Sequence, residues 1–429
     1  MLRFAPSPTA DMSIGDLRVA LFNYIYSKQV NEQLTIRVED TNKAENIEGK
    51  DAEFLGLLEL FGIKYETVSY QSEGFKRHQL MALQLLNTQR AFNCFCTNKT
   101  LDAKQKAARK DKKTYRYDGT CENLTMAESG DNENPFSVRI KKPITAIEFT
   151  DKVKGDKHFE PEDIDSFIIL DQNKMPSNIF AGAVDDMISD VSLVIRSEDH
   201  ILNTPKQMAV RAALGYTKSI EYAHLPGILN NSGEKMSFKD DSFSVKHLLE
   251  EGFIPEAIIN YLVLLGNDVP KEIFTLDEAV EFFDIAKVST EAAKFDMEKL
   301  RFINCEHLNL MDDVELSRYV GFADADLGKA AKIYLEEVST TKELKEKMAA
   351  IFSEKSEDNE SVKQLKALLK QAPHFESFEK LQDYIIKESD IKDENLLKSI
   401  RNVLTGAEHG PDLETLYPLI KNYLAEIIR

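Results

Sequence analysis

A chain of 429 residues, 42% hydrophobic and 30% charged, has the material for several cores and is expected to divide into two to four domains. Its formal charge of -19 excludes indiscriminate nucleic-acid binding and confines any such contact to local basic patches. No apolar run is long enough to span a bilayer, and a strand-like segment beginning at residue 2 leaves no room for a signal peptide, so a cytoplasmic protein without a membrane partner is expected. Four cysteines in such a chain make no disulfide framework. Three of them cluster as Cys94, Cys96 and Cys121, which points to metal.

The first element is an apolar strand at residue 2, followed by a turn stiffened by Pro6 and Pro8. Gly15 then opens a helix with apolar residues at Leu17, Ala20, Leu21, Tyr24 and Ile25. A loop of this kind aims the positive end of a helix at an anion, usually a phosphate. Residues 33–40 alternate as a strand and end in charges, where a parallel sheet presents its ligands. Phe54, Leu57, Leu58 and Phe61 recur at helical spacing and stop at Gly62. Strand, helix, strand, helix at this rhythm predicts a doubly wound α/β domain, and the lack of G-x-G-x-x-G argues against a dinucleotide-binding dehydrogenase. After residues 91–96 comes a basic run of Lys104, Lys106, Arg109, Lys110, Lys112, Lys113 and Arg116, either a solvated helix face or a phosphate-backbone contact. Short alternating segments over residues 136–170 predict a β-rich insert, and residues 179–186 lead back into the first domain. Beyond residue 245 the pattern is almost entirely helical, with Pro255 and Gly266 bounding one helix and Thr275-Leu-Asp-Glu278 reading as a capping box.

Several stretches resemble the signatures of bacterial-type glutamyl-tRNA synthetases, which are class I enzymes. Residues 5–15 are similar to the family's A-P-S-P-T-G-x-x-H-[IV]-G, and Arg37-Val-Glu-Asp-Thr-Asn42 to R-I-E-D-T-D. Val194-Ile-Arg-Ser-Glu-Asp-His200 is similar to V-I-R-G-E-D-H, and Lys235-Met-Ser-Phe-Lys239 to K-[ML]-S-K-R. The likeness continues through Thr204-Pro-Lys-Gln207, His224-Leu-Pro, Lys299-Leu and Leu404-Thr-Gly406, so it runs nearly end to end. It implies a doubly wound α/β catalytic domain in two halves, residues 1–90 and 179–245. An inserted α+β acceptor-arm domain over residues 91–178, a helical stem-contact region over 246–310 and an all-α anticodon-binding region over 311–429 complete the expectation.

The resemblance also assigns roles. Arg3, Ala5, Ser7, Glu39, Asn178 and Arg196 fall on the glutamate positions, where an arginine fork suits a carboxylate. Ser13, Gly15, Asp16, Asp199, Lys235, Ser237, Phe238 and Lys239 fall on the ATP and catalytic positions, with Mg2+ accompanying the nucleotide. Lys104, Lys106, Arg109, Lys110, Lys112 and Lys113 would meet tRNA. Cys94, Cys96, Cys121 and Tyr117 resemble the family's zinc knuckle, although three thiolates leave a tetrahedral zinc one ligand short and tyrosine is an unusual fourth. The bland alternative is three reduced cysteines without metal.

The motifs also depart from the family. Ser13 replaces the tetrad histidine and can donate a hydrogen bond but not carry a positive charge. Phe238 replaces the second lysine of the phosphate loop, a loss worth several kcal/mol of barrier if Lys239 does not take over. Ala10, Asn42, Asn178 and Ser197 are further changes, and Asp16 adds negative charge beside a bound polyanion. Two readings stay open: a ligase for L-glutamate and its tRNA, or a catalytically impaired paralogue that binds tRNA or a protein. Glutamine-specific tRNA is an open alternative partner, and a monomer is expected by resemblance.

Overall fold

The computed structural model describes residues 1–112, 115–236, 244–355, 360–389 and 396–429. The chain divides into two compact units, one of residues 1–245, 263–270 and 276–295, the other of residues 246–262, 271–275 and 296–429.

In the first unit the elements run β1 (Leu2–Phe4), α1 (Ile14–Gln29), β2 (Leu34–Val38), α2 (Lys50–Leu60), β3 (Thr67–Tyr70), α3 (Phe75–Asn87) and β4 (Ala91–Cys94). They continue through α4 (Asn98–Lys110), α5 (Met126–Gly130), β5 (Ser137–Ile140), β6 (Ile147–Asp151), β7 (Gly155–Phe159) and β8 (Ile168–Leu170). The remainder are α6 (Asn178–Ile188), β9 (Leu193–Ser197), α7 (Thr204–Ala213), β10 (Glu221–Leu225), β11 (Ile228–Leu229) and, after helices at Val245–Glu250, Pro255–Leu264 and Leu276–Phe282, β12 (Ala293–Lys294).

Seven strands make one sheet in the order β3-β2-β1-β9-β10-β6-β7. All neighbours pair in parallel except β7, which runs antiparallel to β6. From β1 the chain winds outward one way through β2 and β3, and from β9 the other way to β10. The carboxyl ends of β1 and β9 therefore flank the crevice where doubly wound sheets bind ligands. β1 is buried at all three residues, as a central strand covered on both faces must be.

α1 is set by its first turn. The Ser13 hydroxyl accepts from the Asp16 N–H, and the Asp16 carboxylate accepts from the Ser13 N–H, a capping box. Leu17, Ala20, Leu21, Tyr24 and Ile25 are all buried, as their spacing predicts. Arg18 is buried with them, its Nη1 and Nη2 donating to the carbonyls of Pro226 and Leu265 while Nε has no hydrogen-bond partner among the described residues, and burial brings it down to about 10.

The segment 91–178, expected as one insert, is shared between two sheets. β4, β5 and β8 form their own antiparallel sheet, packed through Val138, Ile140 and Ile169 against Leu85, Phe180 and Val210. The β6–β7 hairpin instead extends the parallel sheet, with Asp151 opposite Tyr222 of β10 and Phe149 packed on the Tyr222 ring. Alternating polarity reveals a strand but not which sheet it joins.

The second unit is helical, as expected, and among the described residues six of its helices start on side-chain caps, from Asp296, Asp312, Asp324, Thr340, Ser377 and Asp412. Asn304 ties its interior together, accepting from the Ile254 N–H at 2.8 Å and donating to the Ser339 carbonyl at 2.6 Å. Residues 263–270 and 276–295, read from sequence as part of a helical region, belong to the first unit.

Candidate functional site

The crevice is built from loops that leave β1, β2 and β9. The Pro6 carbonyl accepts from the Glu39 N–H at 2.8 Å, which docks the loop after β1, with Ala5 and Ser7, onto the end of β2. Arg3 is buried and donates through Nε and Nη2 to both oxygens of Asp186, at 3.1 and 3.3 Å. Arg37 donates to the same carboxylate at 2.6 Å and to Glu39 at 3.0 Å. Burial opposes ionisation of Asp186, but Arg3 and Arg37 outweigh it and hold the carboxyl well below the usual range. The Arg3 fork is thus already closed on a protein carboxylate, not spread open for a ligand.

Arg196, at the end of β9, is placed by four contacts. Its Nε donates to His224 Nε2 at 3.1 Å and Nη1 to Gln207 Oε1 at 2.9 Å; Nη2 donates to Thr204 Oγ1 at 2.8 Å and to the His200 carbonyl at 3.2 Å. Burial, then the nearby Arg3 guanidinium, brings Arg196 down to about 10, still a cation at neutral pH. The protein packed around His200, then Arg196, pushes that imidazole down to about 4 although its surface is open to solvent. Gly182 on α6 lies in the same cradle: a Cβ there would come within 3.1 Å of Gln207 Nε2 and about 4 Å of Arg37 and Glu39. Asn178, at the start of α6, accepts from the Thr41 hydroxyl at 2.9 Å.

On the other side of the crevice the groups are surface groups. The Ser13 hydroxyl donates to Asp16 at 2.7 Å. A Cβ at Gly15 would meet only Ser13 Oγ at 3.5 Å, so glycine there leaves open space over the helix end and relieves no clash. Lys235 is paired with Asp199, which also accepts from Ser197 Oγ. Glu198 accepts from the Gly227 N–H at 2.8 Å and pairs with Lys154 at 2.5 Å. Ser237, Phe238 and Lys239 lie outside the described residues, as does Lys113.

The cysteines converge. The Sγ atoms of Cys94, Cys96 and Cys121 lie within 4.8 Å of one another, with Cys96 and Cys121 3.7 Å apart, and none is in a disulfide. Tyr117 Oη sits 3.4 Å from Cys94 Sγ and 3.6 Å from Cys96 Sγ. Thiolates on a tetrahedral zinc with ~2.3 Å bonds are roughly 3.8 Å apart, so the four side chains fit such an ion. Burial opposes a thiolate at Cys94, but hydrogen bonds from Tyr117, the backbone and Arg139 lower its proton affinity. Burial pushes Cys96 up to about 11 and raises the Tyr117 phenol, so an ion would have to displace protons there.

α4 begins just after this knuckle and has no buried residue. Lys104 is turned inward, paired with Asp118 at 2.7 Å and donating to Thr120, so it secures the helix to the knuckle. Lys106, Arg109, Lys110 and Lys112 are exposed, the first three at spacings that share one helix face.

Sequence reasoning did not single out Asp186, Asp151 or Gly182. A signal for the first was present: two consecutive acids, Asp185 and Asp186, in an otherwise apolar helix.

Fold and crevice together define a class I synthetase architecture, and similarity to known proteins says the same. Residues 1–302 match the family of class I tRNA synthetases (E and Q), catalytic domain. Over the full length of both chains the protein is 57% identical to glutamate–tRNA ligase 2 of Sulfurimonas denitrificans and 53% identical to glutamate–tRNA ligase 1 of a Nitratiruptor species. A crystal structure of a glutamate tRNA ligase from Elizabethkingia meningosepticum, in complex with its amino acid, has the same fold, with a TM-score of 0.83 at 23% identity over 100% of this chain and 98% of that one. The chain belongs to the class I (E and Q) tRNA synthetase family.

Proposed function

We propose that the protein is a glutamate–tRNA ligase. It joins L-glutamate to ATP as a mixed anhydride with release of pyrophosphate, then passes the glutamyl group to a terminal adenosine hydroxyl of tRNA. The observation that carries this reading is 57% identity over the entire chain with a protein of that name. Arg196 and Glu39 supply the charges that glutamate needs, a cation for a carboxylate and an anion for its ammonium group, while Arg3, its fork closed on Asp186, adds its charge beside Arg196 and is not a direct carboxylate clamp. Ala5, Ser7 and Asn178 line the same pocket. ATP enters with Mg2+ over the start of α1 at Ser13, Gly15 and Asp16. Lys235 and Lys239 cover its phosphates, and Asp199, Ser237 and Phe238 belong to the same ATP site, which aligns the carboxylate with the α-phosphorus where charge is stabilised as it develops.

Cys94, Cys96, Cys121 and Tyr117 would hold a structural Zn2+ that fixes the start of α4. Lys106, Arg109, Lys110 and Lys112 then meet the tRNA backbone, with Lys113 extending the run. The protein acts in the cytoplasm as a monomer, on glutamate-specific tRNA, and parallel charging of glutamine-specific tRNA tests the other partner. Metal analysis of the purified protein and of Cys121→Ser tests the knuckle: close to one zinc per chain in the parent and a clear deficit in the variant.

The deciding experiment is tRNA-dependent ATP–pyrophosphate exchange with L-glutamate, run beside a Ser13→His, Phe238→Lys double variant. Exchange by the unmodified chain supports the ligase. Exchange by the double variant alone means a synthetase scaffold that has lost its chemistry.

A further inference from the structure

Among the described residues, four of the five N–H groups of Arg196 have protein acceptors: His224, Gln207, Thr204 and the His200 carbonyl. One hydrogen on Nη1 is left for a ligand. The acceptor on Nε is the unusual one, because an imidazole nitrogen can face an arginine N–H only if it carries no proton itself. His224 is fully buried, and its Nδ1 lies 2.5 Å from Asp151 Oδ2. Asp151, at the end of β6, also accepts from the backbone N–H groups of His224 at 3.1 Å, Val153 at 3.0 Å and Lys154 at 2.8 Å. A carboxylate surrounded by donors in this way is an acceptor only. Nδ1 of His224 must therefore carry the proton, and Nε2 presents its lone pair to Arg196 and to the Thr204 hydroxyl, 3.2 Å away. The reverse tautomer would set two N–H groups against each other at 3.1 Å.

We propose that Asp151 and His224 are positioning residues for amino-acid recognition: Asp151 fixes the imidazole tautomer, His224 holds Arg196 by Nε, and Nη1 is thereby left as the nitrogen that meets a carboxylate of the substrate. This rests on the reading of Arg196 as a glutamate ligand. The hairpin that carries Asp151 thus reaches the glutamate pocket through two relays, His224 and Arg196.

The test compares His224→Asn with His224→Gln. Asparagine keeps an amide near the Nδ1 position, facing Asp151, but offers Arg196 nothing; glutamine reaches the Nε2 position and can accept from Arg196. Glutamate KM, ATP KM and kcat are read from tRNA-dependent exchange, and where exchange is too slow, separate calorimetric titrations of L-glutamate and of ATP into the full chain with tRNA present read the two affinities. His224→Asn is expected to raise the glutamate KM roughly 10- to 100-fold with the ATP KM unchanged, and His224→Gln to recover to within about threefold of the parent. Equal impairment of both variants, or parent values in both, overturns the proposal. Nitrogen-15 shifts of labelled histidine in the unmodified protein check the tautomer without a variant, and a proton on Nε2 of His224 overturns it as well. Arg196→Ala tests the underlying reading separately. An unchanged glutamate KM there defeats that reading, whereas a raised KM with both His224 variants at parent values defeats only the relay.

Discussion

The two sides of the crevice are built on opposite principles. Around Arg3, Arg37 and Asp186 the charges are buried and paired before any ligand arrives, with side-chain exposures of 6% for Arg3 and 1% for Asp186. At Lys235 and Asp199 the pair is open, at 44% and 59%. Desolvated charges hold their geometry because releasing them is costly, while exposed pairs contribute little and rearrange freely. The proposed amino-acid half is thus preorganised, and the proposed phosphate half is left to be assembled on the nucleotide.

The contrast is broken most directly at Asp186. Asp186→Ala strands two buried guanidinium groups and is expected to cost about 3–5 kcal/mol in urea denaturation; a loss under ~1 kcal/mol would mean that the cluster is not structural. Lys235→Met should do the reverse, lowering the exchange kcat roughly 10- to 100-fold while stability moves by less than ~0.5 kcal/mol. A large fall in stability there would erase the distinction.

Acid sharpens the contrast further. Burial opposes ionisation of Asp151, but its hydrogen bonds outweigh burial and hold the carboxyl at about 2, below its ordinary 3.8. A depressed carboxyl stabilises the fold above its unfolded value and loses that contribution as pH falls through the folded one. Stability on the order of 2 kcal/mol should therefore be present above about pH 4 and disappear toward pH 2. Denaturation midpoints followed against pH should show it, and Asp151→Asn should flatten the slope. The smallest effect belongs to the exposed helix: Arg109→Ala with Lys110→Ala should weaken tRNA binding several-fold and reduce the salt slope by roughly one to two, with stability unchanged.

Much of this was legible because it is local. The spacing of Leu17, Leu21 and Ile25 marks α1, the alternation in residues 33–40 marks β2, and the charges at their ends mark the crevice where Arg3, Glu39 and Arg196 meet. What hid was the second partner of each charge. Asp186 lies 183 residues from Arg3, and Asp151 lies 73 from His224; no periodicity links such positions, and only the winding of the sheet brings them together. The same holds for Ser13 and Asp16: read as a motif they stand at a phosphate tetrad, and as local structure they form an intact capping box. Pattern alone does not tell which role a serine serves.

The β6–β7 hairpin also decides how this protein can be taken apart. Excising residues 91–178 as a self-contained arm would remove two strands of the main sheet, leave β10 as a bare edge at Tyr222, and take away the carboxylate beneath His224. The segment is joined to the main sheet through residues 147–159 and to the buried cluster of Leu85, Phe180 and Val210 through the sheet of β4, β5 and β8, so removing either part opens the first unit.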